Sequence, residues 1–240
     1  MLNDWFVDFS MDLSWKSFCL LPRHPAYRYE YQQDRCRITG RPVYYHARLD
    51  LGKSRAICTA DDSIAIEDCT QLTVVDWAKL TLLFASAFSR TVPFSQLIKE
   101  DRPTAAKQTL ERTRTGLDGP WVKAASHIIR SEESGKPVGA SLVTLLPSDD
   151  LVDFDSNLWH VTAPTDAVES RWGVPHLTWI FIDPQHTRQG LAAHLLQHSA
   201  ASLKQLGYST LLSTFLLGND ASLLWHWKMG FQLLSHVTSR

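Results

Sequence analysis

The feature that most constrains the fold is the segment that begins at His176 and reads HLTWIFIDPQHTRQGLAAHLLQHSAASLKQLGY. An apolar run is followed by a turn with Pro184, by Gly190, and by apolar residues at the spacing of one helix face. That face is formed by Leu191, Ala192, Leu195, Leu196, Ser199, Leu203 and Leu206. The pattern predicts a strand that enters a helix through a tight polar loop, so the fold should contain a sheet with helices packed on it.

The start of this predicted helix is a candidate anion site. The first amides of a helix have no acceptor within it, and the helix dipole favours a negative group there. Gly190 leaves these amides accessible because it has no side chain, and the small Ala192 keeps the next turn open. Arg188 and Gln189 can add side-chain contacts. Taken alone, the pattern is weak evidence for phosphate binding, since many strand-to-helix connections contain a glycine.

A second pattern lies downstream. After an apolar strand at Thr210 to Leu217, the chain reads GNDASLLWHWKMGF. Asn219 can cap a short helix through its side-chain oxygen. Gly230 is placed to end that helix, and Phe231 to begin another strand. The last third of the chain therefore has the order strand, helix, strand, helix, strand.

Upstream segments add further strands and helices. A short strand is predicted at Ser63 to Glu67, followed by a helix with apolar residues at helical spacing from Val74 to Phe88. A second helix is predicted at Thr104 to Thr115. Two strands, Trp121 to Arg130 and Val138 to Leu146, are predicted to form a hairpin.

Residues 1–60 are interpreted as an N-terminal extension rich in β structure. Tyr27 to Tyr31 and Val43 to Leu49 alternate apolar and polar residues, and Gly40 to Pro42 is expected to supply the turn of a hairpin between them. This extension carries no recognisable chemical motif.

Composition restricts the class of partner. Lys and Arg together number 24 against 25 acids, which removes the electrostatic argument for a nucleic-acid partner. The longest apolar stretches fall short of the ~20 residues that a membrane helix needs, and the acidic opening MLNDWFVDFSMD lacks the positive start of a secretory signal. We therefore expect no membrane partner and a cytoplasmic location.

The cysteines do not predict a metal site. All four lie in the first 70 residues at irregular separations, without a C-x-x-C pair. His24 and His46 could in principle complete a site with Cys19 and Cys36, but thiols of a reducing compartment are the stronger interpretation. No metal is expected.

Together, the two C-terminal patterns resemble the GCN5-related N-acetyltransferase (GNAT) superfamily. Its Q/R-x-x-G-x-G/A loop corresponds here to the residues from Thr187 to Ala192, and Ile180 to Pro184 looks like its V-x-P lead-in. Its N-x-x-A-x-x-L-Y-x-x-x-G-F pattern is matched by Asn219, Ser222, Trp225, Gly230 and Phe231. The resemblance covers roughly Ile64 to Arg240 and implies a mixed, mostly antiparallel central sheet flanked by helices, with residues 61–240 as the catalytic domain.

The resemblance implies acetyl-coenzyme A as cosubstrate and assigns residues to it. The pantetheine arm would pair with the strand formed by Ile180, Phe181 and Ile182, between two diverging central strands. Asn219 would contact coenzyme A near the same point. The pyrophosphate would be held by amides of Arg188, Gln189, Gly190, Leu191, Ala192 and Ala193.

Two departures from the family pattern bear on catalysis. Thr187 stands where the family prefers glutamine or arginine, which removes one possible phosphate contact. His226 stands where the family often has a tyrosine that protonates the leaving thiolate, and an imidazole with a pKa of ~6.5 can serve as that acid. The position of a glutamate base in some relatives corresponds to Thr214, so His176 and the acids of the preceding loop are the candidate bases.

The predicted reaction is transfer of an acetyl or related acyl group from acyl-coenzyme A to a primary amine. The acceptor, a small molecule or a peptide, is not fixed by the sequence, and the acidic loop from Pro147 to Pro175 could attract a cationic one. A homodimer is possible. The alternative is a non-catalytic acyl-coenzyme A-binding sensor or assembly module, which the substitution at His226 keeps open.

Overall fold

The computed structural model describes residues 10–20, 27–40, 44–53, 65–150, 162–216 and 218–234. These residues form two sheets, one of three strands and one of seven. No helix in these ranges is both long and apolar enough to cross a membrane.

The smaller sheet is built from the N-terminal residues. It contains β1 (Ser10–Ser14), β2 (Tyr27–Gln32) and β3 (Arg35–Gly40) in the antiparallel order β1-β3-β2, with the short helix α1 (Trp15–Cys19) after β1. Buried Cys36 and Ile38 on β3, together with half-buried Leu13, form its apolar contact. Cys58 lies outside the described residues.

The predicted hairpin between Tyr27 to Tyr31 and Val43 to Leu49 is wrong. β2 pairs instead with β3, and the turn is formed by Gln33 and Asp34. The following strand, β4 (Tyr44–Asp50), joins the seven-stranded sheet, because Ala47 and Leu49 are fully buried in the core of that sheet. Burial of these apolar side chains outweighs pairing with the neighbouring segment.

The larger sheet has the order β10-β4-β9-β8-β7-β6-β5. Its other strands are β5 (Ile66–Asp68), β6 (His127–Arg130), β7 (Pro137–Leu146), β8 (Val174–Ile182), β9 (Thr210–Leu216) and β10 (Gln232–Leu234). Every pair is antiparallel except β8 with β9. The predicted mixed, mostly antiparallel sheet flanked by helices is therefore confirmed. The strand that residues 1–60 contribute lies between β9 and β10.

Helices cover both faces of this sheet. They are α2 (Val74–Ala87), α3 (Arg102–Arg114), α4 (Leu191–Gln205) and α5 (Asp220–Lys228). α2 and α3 bury Phe84 and Leu110 against Leu142 and Phe181, whereas α4 buries Leu196 on the other face. The order from β5 to β10 is the one that the sequence predicts.

The strand predicted at Trp121 to Arg130 is shorter than expected. Trp121 forms only a bridge with Thr144, residues Lys123–Ala125 form a single 3-10 turn, and β6 begins at His127. The Ser126 hydroxyl explains the interruption. It accepts hydrogen bonds from the Trp121 indole and the Val143 amide, both at 2.9 Å, in place of a regular backbone ladder.

Candidate functional site

The two central strands diverge in the middle of the larger sheet. β8 and β9 pair only at His176 with Leu212 and at Leu177 with Ser213. The pairing of β8 with β7 shifts register at the next position, so Thr178 is an extra residue. Such a bulge bends and twists a strand. Beyond Thr178, β8 pairs with β7 alone and β9 with β4 alone, which leaves a fork between them.

The backbone groups of two β8 residues point into this fork. Asp183 donates its N–H to the Val138 carbonyl on β7 at 2.7 Å. Hydrogen-bonded pairs alternate along an antiparallel ladder, so Phe181 also faces β7 with its backbone. Ile180 and Ile182 therefore direct their N–H and C=O groups toward β9, where no strand of the described residues receives them. These are two of the residues that the GNAT resemblance assigns to a bound pantetheine arm.

Phe181 differs from its two neighbours. Its backbone faces β7, and its side chain is buried against Phe84 of α2 with ring centroids 5.2 Å apart. Phe181 therefore packs β8 against α2 and does not reach the fork.

The loop before α4 leaves the start of that helix open. Arg188 and Gly190 both adopt left-handed conformations, with φ of 65° and 79°. The Gly190 carbonyl accepts from the amides of Ala193 and His194, so the amide of Ala193 is already bonded. Among the described residues, the amides of Gly190, Leu191 and Ala192 have no acceptor, and no side chain caps the helix.

The space above these amides is also open. A Cβ atom at Gly190 would meet only the His194 ring, at 3.9 Å. The carboxylate of Asp183, the nearest acid in the loop, accepts from the Gln185 amide at 2.8 Å. Arg188 and Gln189 are exposed beside the helix start. The site is therefore a helix N-terminus with exposed donors and an adjacent cation, which is suited to an anion.

Asn219 caps α5 as the sequence predicts. Its side-chain oxygen accepts from the Ser222 amide at 3.1 Å. Gly230, at φ 85°, follows the end of this helix. The cap fixes the start of α5 next to the end of β9.

His226 of α5 is enclosed by protein atoms. It is 3% exposed, and its ring stacks on Phe215 with centroids 4.3 Å apart. Its Nδ1 lies 2.7 Å from the Ser222 carbonyl, which can only accept, so Nδ1 carries the hydrogen. Its Nε2 lies 2.8 Å from the Ser213 hydroxyl and accepts from it. Burial lowers the pKa of His226 to about 4, so the ring is neutral at neutral pH.

This geometry does not support the prediction that His226 protonates the leaving thiolate. The single ring N–H is donated to a backbone carbonyl, and the other nitrogen receives the Ser213 hydroxyl. A neutral imidazole bonded in this way has no proton to donate to a substrate.

His176 belongs to β8, lies at the fork, and faces the side of the sheet opposite to His226. Its Nε2 is 3.1 Å from the Thr214 hydroxyl, and Nδ1 of His46 on β4 contacts the same hydroxyl at 3.1 Å. Thr214 and Ser213 are consecutive on a strand, so their side chains point to opposite faces. The two histidines that the sequence singles out therefore lie on opposite faces of the sheet and bond to different residues of β9. Burial lowers the pKa of His176 to about 3, with a smaller contribution from the charge of His46 and, across the sheet, from that of His226.

A line of hydroxyl groups continues from His176 across β7. Nδ1 of His176 is 3.1 Å from the Thr178 hydroxyl, which is 2.8 Å from that of Thr144. Thr144 donates to the Asp118 carbonyl at 3.0 Å. The sequence predicts no role for three members of this group, Thr178, Thr144 and His46, of which only His46 is named, as a possible metal ligand. The available signal for His46 was the alternation of β4, which places polar His46 beside buried Ala47.

The acidic loop is only partly described. Asp149 forms an ion pair with Arg48 of β4 at 2.7 Å. Asp166 and Glu169 lie in a turn that is held by buried Ala167. Asp153 and Asp155 lie outside the described residues, so the expected acidic rim stays a prediction.

Comparison with known proteins identifies the family. The chain matches the sequence profile of the acetyltransferase (GNAT) family over residues 94–231, more than half of its length. The chain belongs to the GNAT acetyltransferase family. No curated protein matches it.

Two solved structures resemble this GNAT protein in fold. A GCN5-related N-acetyltransferase from Sphaerobacter thermophilus has a TM-score of 0.53 and 14% identity, covering 81% of this chain and 50% of that one. The protein PH1933 from Pyrococcus horikoshii OT3 has a TM-score of 0.50 and 14% identity, covering 72% of this chain and 91% of that one. The chain thus spans about half the length of the first.

Membership in the GNAT family supports binding of coenzyme A and acyl transfer from it. The departure at Thr187 has a structural counterpart, because its hydroxyl donates to the Pro184 carbonyl at 3.1 Å within the loop. His226, the second departure from the family pattern, is also bonded within the protein, to Ser222 of α5 and Ser213 of β9.

Proposed function

We propose that this GNAT protein transfers an acetyl or related acyl group from a coenzyme A thioester to a primary amine of a small molecule or peptide. One observation carries the proposal. The fork between β8 and β9 presents unpaired backbone groups of Ile180 and Ile182, and β8 leads directly to the open amides at the start of α4.

The parts of the fork match the parts of the ligand. Backbone groups of Ile180 and Ile182 would pair with the amide-bearing pantetheine arm. The amides of Gly190, Leu191 and Ala192 would receive the pyrophosphate, with Arg188 and Gln189 beside it. Ala193, whose amide is bonded to Gly190, and Phe181, whose backbone faces β7, would contribute by shaping the site.

Acyl transfer requires three steps at the fork. The neutral amine attacks the thioester carbonyl carbon, the C–S bond breaks, and a proton leaves the nitrogen. A backbone N–H of β8 that points into the fork would stabilise the negative charge on the carbonyl oxygen. Both reactants would be bound at once, and the amine would attack the thioester directly.

A second candidate is a domain that binds acyl-coenzyme A without catalysis. The enclosure of His226 favours it, because the family's usual acid position then supplies no proton. The two candidates share the binding site and differ in whether an amine releases free thiol.

Gly190→Glu tests the binding site against Gly135→Glu. Both glycines are exposed, adopt positive φ, and have open space at the Cβ position, so the backbone strain of the two changes is similar. Only Gly190→Glu adds a negative charge at the start of α4. We expect it to weaken coenzyme A binding by at least ~100-fold in calorimetry, while Gly135→Glu stays within ~2-fold of the unchanged protein.

Thiol release from acetyl-coenzyme A distinguishes the two candidates. The panel contains a polyamine, an aminoglycoside, an amino acid, and peptides with a free N-terminus or lysine. Release above background with at least one amine supports the transferase. Tight coenzyme A binding with no release favours the non-catalytic domain, and equal binding by both glutamate variants contradicts the proposed phosphate position.

A further inference from the structure

On the face of the larger sheet that α2 and α3 cover, side chains from four strands form one hydrogen-bonded chain. It runs from His46 on β4 to Thr214 on β9, then to His176 and Thr178 on β8, and to Thr144 on β7. No other segment of the described residues links two imidazoles through a hydroxyl in this way. The inference drawn from this row of hydrogen bonds rests on the proposed acyl transfer.

The hydrogen bonds of this row all point one way, and the group that sets their direction lies at the Thr144 end. The Asp118 carbonyl can only accept, so the hydrogen of Thr144 points to it. Thr178 then uses its hydrogen on Thr144, at 2.8 Å, or on the His176 carbonyl, at 3.3 Å. The contacts of Thr178 with Thr144 and with His176 are both hydrogen bonds at once only if Nδ1 of His176 donates to Thr178, so we assign the hydrogen of this ring to Nδ1.

The same logic orients the Thr214 hydroxyl. With its hydrogen on Nδ1, neutral His176 has an accepting Nε2, which receives the hydrogen of Thr214 at 3.1 Å. Nδ1 of His46 must then donate to the Thr214 oxygen. A hydroxyl oxygen can accept twice, so the second acceptor position of Thr214 remains for another donor.

We propose that Thr214 accepts the proton of the attacking amine while passing its own hydrogen to Nε2 of His176. As the C–N bond forms, the N–H bond of the amine breaks and an O–H bond forms at Thr214. The former O–H bond of Thr214 breaks, and His176 becomes an imidazolium. When the C–S bond breaks, the same pair returns this proton to the thiolate.

The position of Thr214 suits this role. It follows Ser213, the last β9 residue that pairs with β8, and is half-buried at the branch point of the fork. It lies on the face that α2 and α3 cover, opposite to α4 with its candidate phosphate site. Acceptor and coenzyme A would thus approach the fork from different faces.

The environment of His176 fits a transient carrier. Its low pKa keeps the ring neutral at neutral pH, makes it a weak base that holds a proton only briefly, and makes the imidazolium a strong acid toward a thiolate. This route supplies the proton that His226 cannot. His46, which is 6% exposed, is a positioning residue that holds the Thr214 oxygen.

The first test measures the tautomers by ¹⁵N NMR of histidine-labelled protein and does not depend on activity. We expect His176 to carry its hydrogen on Nδ1, and the Nε2 resonance to shift when Thr214→Val removes the donor. A hydrogen on Nε2 of His176 would overturn the assigned direction of the chain and with it the relay.

The second test compares Thr214→Val with Thr81→Val. Both threonines are half-buried with bonded hydroxyls, but Thr81 bonds to its own helix at Trp77. We expect Thr214→Val to lower kcat by ~100-fold, with KM for acetyl-coenzyme A within ~2-fold, and Thr214→Ser to recover most of the rate. Thr81→Val should behave as the unchanged enzyme.

His46 is tested by two substitutions that differ in one donor. The amide of His46→Asn can replace the Nδ1 hydrogen, whereas His46→Leu cannot. We expect a ~10-fold lower kcat for His46→Leu than for His46→Asn, at similar KM. Equal kcat values would overturn the positioning role.

The outcomes separate the relay from the proposed function. An active enzyme whose Thr214→Val variant keeps kcat within ~3-fold overturns the relay alone. A protein that binds coenzyme A but releases no thiol with any amine overturns acyl transfer itself, and the relay with it.

Discussion

Two histidines bond to opposite faces of β9, and their surroundings differ. On the face of α4 and α5, His226 is stacked on an aromatic ring and bonded at both nitrogens to fixed protein groups. On the other face, His176 is half-buried and bonded to hydroxyls, whose hydrogens can rotate from one acceptor to another. A histidine at a motif position can therefore be structural, while one outside the motif lies at the fork, where the proposed relay needs a proton carrier.

The contrast between a structural His226 and a mobile proton at His176 would be wrong if removal of His226 left the fold as stable as before. His226→Ala takes a stacked ring and two hydrogen bonds from a buried site and leaves the Ser213 hydroxyl without its acceptor. We expect a loss of ~3 kcal/mol in the free energy of unfolding, measured with urea. The exposed His198 of α4 is the control, and His198→Ala should change stability by less than ~0.5 kcal/mol. A loss below ~1 kcal/mol for His226→Ala would contradict the structural role.

The pH dependence of stability sharpens the same contrast. The folded pKa of His226 is lowered to about 4 by burial, and that of His127 to about 4 by burial and by His198. The unfolded chain binds these protons near pH 6.5, so stability is full above that pH and falls as the pH drops toward 4. Between pH 7 and pH 5, we expect a loss of ~2 kcal/mol for each of the two histidines.

His226→Gln should remove one of these two contributions. Urea unfolding at both pH values would then give a shallower dependence than that of the unchanged protein. The same slope in both proteins would mean that His226 is not held neutral by the fold.

The smallest expected effect concerns the helix that carries His226. Asn219→Ala removes the cap of α5 and should cost ~1 kcal/mol of stability, whereas Asn219→Ser can accept from the same amide and should restore most of it. Urea midpoints give this comparison. Coenzyme A affinity separates the cap from a ligand contact, because a contact made by the asparagine amide would be lost in both variants.

Much of the fold follows from local sequence signals. The apolar run, the turn and Gly190 before an amphipathic stretch predict β8 and α4, and Asn219 predicts the start of α5. These features depend on residues close to one another in the chain. The open amides at the start of α4 follow from the same local geometry.

Local sequence signals do not predict which distant segments pair with each other. The alternation of Tyr44 to Asp50 predicts a strand but not its partners, since burial of Ala47 and Leu49 is decided by residues far along the chain. The same holds for the candidate site. In the sequence, Thr214 only stands where some relatives carry a glutamate, and its contact with His46 depends on a pairing that spans 168 residues.

The insertion of β4 between β9 and β10 has a consequence for synthesis on the ribosome. β4 leaves the exit tunnel long before its two neighbours, because β9 and β10 lie far downstream in the sequence. Until then, its two edges and its apolar side chains await strands that have not been translated. Closure of the larger sheet therefore waits until β9 and β10 have been synthesised, and a nascent chain that stalls before β9 would expose an unpaired strand that can template aggregation.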